Sequence, residues 1–138
     1  MLLSIVLSCI LLGLGLIHFN WVVGGTFGLE EAIPTKENGD LVMNPGKVDS
    51  AIVGLGLTVF GLFYLIRAEI LEINLSSGLM NSVGWIIPVI FLLRAMGEFK
   101  YVGFFKKVKS TPFGKWDTKL FSPLCLFMGI LGILIQLF

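Results

Sequence analysis

His18, Arg94 and Glu98 are the residues of this chain whose types and positions suit chemistry in a hydrophobic setting. Arg94 and Glu98 are four apart in "FLLRAMGEFK", the spacing that puts two side chains on one face of a helix and within reach of each other. His18 stands in "GLIHFNWVVGG", followed by Asn20 and Trp21. A guanidinium can hold an anionic group, and an imidazole, whose pKa lies near working pH, can carry a proton or donate a hydrogen bond. Paired with a carboxylate, the imidazole could serve as an acid/base couple on a lipid-like substrate. Plainer readings stand beside these: a structural ion pair, an arginine reaching for headgroups, or a histidine that only hydrogen-bonds a neighbouring helix. Asp117, in "GKWDTK", has lysines on both sides and reads as a capping or salt-bridged loop residue. It completes a candidate ligand-binding set of His18, Trp21, Arg94, Glu98 and Asp117.

The elements that must position this set follow from composition. The 138 residues are 56% apolar and 12% aromatic, with a mean hydropathy of +0.94, which is membrane usage in a chain of single-domain length, residues 1–138. A membrane span needs about 20 apolar residues, because every backbone amide must be satisfied within the helix. Residues 2–23, 48–66, 79–99 and 120–138 meet that need, and nothing alternates with the period of two that a barrel requires. The fold class is therefore all-α, a four-helix transmembrane bundle. The first run lacks a positive leader and a small-residue cleavage site, so it reads as a retained span. Cys9 and Cys125 fall in separate spans and offer no disulfide framework.

Each span carries small or polar residues at spacings of three and four, the stripe that lets helices approach closely in lipid. The stripes are Ser4, Ser8, Leu11, Gly15, His18; Ala51, Gly54, Thr58, Gly61; Asn81, Gly84, Pro88, Phe91, Ala95, Glu98; and Ser122, Cys125, Gly129, Gly132, Gln136. The first and third spans run in the same direction, so a rise of about 1.5 Å per residue places His18 and Arg94 at similar depth.

Lysine placement sets the expected topology. The first and third loops hold Lys36, Lys47, Lys100, Lys106, Lys107, Lys109, Lys115 and Lys119, against Arg67 alone in the second. Positively charged flanks stay cytoplasmic, so loops 24–47 and 100–119 are expected there and both termini outside. In the first loop, "NG" before Asp40 signals a hairpin between "AIPT" and "LVM", which would fold back as a lid. Pro45 and Gly46 would end it, with Asp49 or Ser50 capping the second span. The third loop interleaves aromatics with lysines, as segments lying on a leaflet do; Lys106, Lys107, Lys109 and Trp116 are its expected membrane-surface residues. Ser122 before Pro123 reads as the start of the last span. Glu30 and Glu31 suit a solvated face of the lid, and Tyr64 and Arg67 an interfacial anchor.

Several chemistries lack their residues. One histidine makes neither a two-histidine haem site nor a conventional zinc site, there is no "CxxC", and the glycines of "GLGLTVFG" lie in a span, where no phosphate loop forms. No cofactor and no metal are expected. The lysine cluster is flanked by membrane helices, which makes the bilayer, and not nucleic acid, its nearer anion.

The stretches "IHFNWVVGGTFGLEEAIPT" and "FLLRAMGEFKYVGFFKKVKSTPFGKWDTKLFSPLCL" resemble a widespread bacterial family of small four-helix integral membrane proteins of unknown function, DUF3995-like. The resemblance rests on His18, Trp21, Gly24, Gly25, Arg94, Glu98, Phe105, Lys106, Asp117, Thr118, Ser122, Pro123, Leu124 and Cys125. Asn20 stands where relatives more often have an aromatic. The resemblance implies a multi-pass protein of the bacterial cytoplasmic membrane; it implies no activity.

Three functions remain in view. The first is a bundle that binds an anionic or amphiphilic, lipid-like ligand in a cytoplasmic-side pocket between the first and third spans. The second is a membrane enzyme using His18 and Glu98 as its proton-transfer couple. The third is a structural subunit, of a homo-oligomer or a larger membrane complex. Four short helices leave little room for alternating access, so a transporter fits least.

Overall fold

A computed structural model describes residues 1–42 and 46–138. Its helices are α1 (Leu2–Val22), α2 (Leu29–Ala32), α3 (Lys47–Arg67), α4 (Ser77–Met96), α5 (Pro112–Trp116) and, after a π-helical segment (Asp117–Phe121), α6 (Ser122–Leu137). Four stretches are long and apolar enough to cross a membrane: α1, α3, α4 and the continuous run Pro112–Leu137. At 21 residues, α1 and α3 are each about 31 Å long, the thickness of a bilayer core. Leu16, Leu55, Leu93 and Leu137 are exposed on the outside of the bundle, as lipid-facing side chains must be. The chain is an integral, multi-pass membrane protein.

The expected small-residue stripes pair in two seams. On α1 and α3, the Ser8 hydroxyl donates to the Gly61 carbonyl at 2.7 Å. Gly15 meets Thr58 and Gly54 so closely that a Cβ there would lie 2.8 Å from the Thr58 hydroxyl. On α4 and α6, Gly129 and Gly132 press on Leu92 and Pro88, and the Gln136 side-chain amide donates to the Asn81 side-chain oxygen at 2.8 Å. Between the seams lies a shared core of Leu7, Leu11, Phe63, Tyr64, Ile87, Phe91, Met128, Leu131 and Ile135, drawn from all four spans. The packed pairs are α1 with α3 and α4 with α6, with α1 also touching α6; among the described residues the first and third spans do not form a packed pair.

Several expected boundaries move. α3 begins at Lys47, with Gly46 before it; Asp49 satisfies the helix start from inside, its carboxylate accepting the Gly46 N–H at 2.9 Å. Pro45, the expected stop, lies outside the described residues, as does Met43. α4 ends at Met96, short of the expected Phe99, because Gly97 takes a φ of +80° and turns the chain back. The last span starts ten residues before Ser122. Thr111 is its N-cap, its hydroxyl accepting the Gly114 N–H at 3.0 Å, and Pro112 opens the first turn. Pro123 lies within this run and does not open it. A proline at that depth has no N–H to donate and its ring crowds the carbonyl of Lys119; the π-helical turn over Asp117–Phe121 immediately before it widens the helix where that crowding falls.

Candidate functional site

The lid forms as the turn residues direct. Thr35 bridges Leu41, the Lys36 N–H donates to the Asp40 carbonyl at 2.7 Å, and Asn38 and Asp40 bond to each other across the turn. The lid helix α2 packs on α5, which brings the first and third loops together at one end of the bundle. Trp21 fastens the lid's root, its indole N–H donating to the Phe27 carbonyl at 2.7 Å.

At that end the chain after α4 forms a strap, residues 97–111, folded tightly on the helix it has just left. Glu98 does not continue α4 and does not meet Arg94. It is exposed, and one of its carboxylate oxygens accepts the backbone N–H groups of Lys100, Tyr101 and Val102. The anion thus organises the turn, an ion held by backbone donors. Two glycines make the fold-back possible: a Cβ on Gly97 would lie 1.8 Å from the Val102 carbonyl oxygen, and one on Gly103 2.3 Å from that of Met96. Both glycines have positive φ, which other residues rarely adopt.

This strap delivers Gly103 to Asp117. Asp117 is fully buried, and its two oxygens accept from three groups on two segments: Arg94 of α4 at 2.8 Å and, from the strap, the Gly103 N–H at 2.7 Å and the Lys106 ammonium at 3.2 Å. Lys106, expected on the membrane surface, is itself buried. Its three N–H donors find the Asp117 carboxylate, the Gly103 carbonyl at 3.1 Å and the Thr118 hydroxyl. A lysine so enclosed by acceptors cannot reach for phosphate. Lys107, Lys109 and Trp116 are exposed, with Lys119 5.4 Å from the centre of the Trp116 ring.

Arg94 is the member left incomplete. Its Nη2 bonds Asp117, while its Nη1 is buried with no hydrogen-bond partner, in a side chain that is 32% exposed overall. Two cations face one carboxylate, so the cluster carries a formal excess of one positive charge.

His18 sits on the other seam. Its Nδ1 is 2.8 Å from the Leu14 carbonyl, an acceptor only, so this nitrogen carries a proton. The ring packs on Trp21, centroids 4.7 Å apart, and its Cβ lies against Gly54 of α3. Among the described residues no hydrogen bond, ion pair or ring contact joins His18 to Arg94, Glu98 or Asp117. Nor does any group of three or more His, Cys, Asp and Glu among them form a metal-binding cluster.

The partnership of Asp117 with Arg94, Lys106 and Gly103 escaped the sequence because Asp117 reads there as a residue of the third loop, ahead of a span expected to open at Ser122, whereas the helical run begins at Pro112. In the π-helical segment the Ser122 N–H bonds the Asp117 carbonyl five residues back, which brings Asp117 inward. Pro123, out of place in a helix interior, was the signal available.

Neither the curated proteins nor the solved structures contain a match to this chain. A family model, described as a protein of unknown function (DUF3995), matches residues 11–132, a stretch that takes in the strap, the lid and Arg94, Lys106 and Asp117. The chain belongs to this DUF3995 family.

Proposed function

We propose that this membrane protein holds an anionic amphiphile at the end closed by lid and strap, with the anionic group against Arg94. The observation that carries the reading is the buried, unpartnered Nη1 of Arg94 within a cluster that has one cation more than it has anions. An oxygen of a carboxylate or phosphate would satisfy that nitrogen and offset the charge, in the two-pronged geometry a guanidinium favours. Because α1 and α4 are not packed together, this reading sets the ligand beside the α4–α6 seam, under the lid, with His18 and Trp21 at the lid's root. Exposed Lys107, Lys109, Lys115 and Trp116 then rest on anionic headgroups, and the excess of lysine at this end faces the cytoplasm.

A second reading is favoured by one feature: Asp117 and Lys106 are fully partnered within the chain, as in a buried staple whose only task is to fix the strap. The enzyme reading has less support, because the Glu98 carboxylate is already committed to three backbone donors.

Arg94→Lys separates the first two. A lysine keeps a cation for Asp117 but removes the second prong. Native mass spectrometry of protein purified in neutral detergent should show an anionic amphiphile on the wild type and its loss from Arg94→Lys, with the thermal midpoint shifted by less than about 5 °C. A ligand retained by the variant, or absent from both proteins, leaves the staple.

A further inference from the structure

At the opposite end of the bundle, Arg67 closes α3 with no carboxylate within ion-pairing distance among the described residues, its side chain half-buried. It is the only cation of the second loop. Its Nη2 donates to the Ile135 carbonyl at 3.2 Å, which holds the guanidinium across from α6. There it lines an open cleft of about 540 Å³ whose other walls include Leu3, Ser4, Met80, Ile135 and Gln136. The Gln136 side chain is spent on α4: its amide N–H donates to Asn81, and its buried carbonyl oxygen is pressed on Gly84, where a Cβ would lie 2.1 Å away. The cleft therefore combines a guanidinium that has no carboxylate partner among the described residues with leucine, isoleucine and methionine surface.

We infer that this cleft is a second binding site, separate from the Arg94 cluster, for an amphiphile with an anionic headgroup. The anion meets Arg67, and the tail follows the apolar wall into the bilayer. A guanidinium at a helix end that only reached for bulk headgroups would need neither the backbone bond to Ile135 nor a concave site. A hydrogen bond to a charged group changes affinity by roughly tenfold or more, so the anion contact should be measurable.

The test uses the whole protein in neutral detergent, titrated with phosphatidylglycerol, whose headgroup is anionic, and with phosphatidylcholine, whose headgroup has no net charge. Native mass spectrometry should show phosphatidylglycerol bound at this site at least about tenfold more tightly than phosphatidylcholine. Arg67→Gln should remove one bound phosphatidylglycerol and Arg94→Lys should leave that one in place, so this site and the Arg94 reading can fail independently. Met80→Glu, which sets a carboxylate on the wall of the cleft that Arg67 lines, should give the same loss and guards against misfolding of the first variant. Equal binding of both lipids, or full retention in Arg67→Gln and Met80→Glu, overturns the site. Displacement of phosphatidylglycerol by millimolar inorganic phosphate also overturns it, since the occupant would then be a free anion and the apolar wall irrelevant.

Discussion

The two ends of this bundle treat their charges in opposite ways. At the lid end Asp117, Arg94 and Lys106 are drawn from three segments, and the carboxylate at the centre is wholly shielded from solvent. At the other end Arg67 has one bond to a backbone carbonyl and an open cleft beside it. A buried carboxylate costs several kcal/mol to desolvate and is tolerated only with its partners in place, whereas a cation at a helix end keeps access to water and headgroups. The first arrangement ties the chain together. The second leaves a charge uncommitted, and an uncommitted charge is what a ligand can use.

That contrast predicts unequal consequences. Asp117→Asn should be the most damaging change, because it strands two cations around a neutral amide; the cost expected for breaking a buried ion pair is about 3–5 kcal/mol, readable in the thermal midpoint in detergent. Adding Lys106→Met to that variant should recover part of the loss, and strict additivity of the two changes would show that the lysine and the carboxylate are not coupled. Gly103→Ala tests the strap that feeds the cluster: with its Cβ 2.3 Å from the Met96 carbonyl oxygen at a φ of +91°, it should cost about 1–3 kcal/mol and open residues 97–111 to limited proteolysis. An unchanged cleavage pattern would mean that the strap tolerates displacement without the cluster. Smallest should be Arg67→Gln, under about 1 kcal/mol in stability because the half-buried side chain makes one backbone bond. A loss as large as that of Asp117→Asn would make Arg67 a second staple.

Much of the architecture was legible in residue order. Four apolar runs of about twenty residues announce four spans because backbone amides must be satisfied in lipid. Ser8 and Gly61, Gly15 and Thr58, and Pro88 and Gly132 sit on their stripes as helical spacing requires. The lid hairpin was equally visible, since its turn is made by the local chemistry of Asn38, Gly39 and Asp40. The candidate site was read less well. Arg94 was singled out, but Glu98 was assigned to it by α-helical spacing, and the helix ends before that spacing applies.

Sequence alone determined what depends on local periodicity and on burying backbone in hydrocarbon: the number of spans, the face each turns inward, and the turn that makes the lid. Tertiary structure decided which stripe meets which and who partners Arg94. Those outcomes rest on a glycine-enabled fold-back at Gly97 and Gly103 and on a π-helical turn ahead of Pro123. Each shifts residues by a fraction of a turn, and contacts between segments more than ten residues apart, such as Arg94 with Asp117, are set by such shifts together and by no one stretch alone.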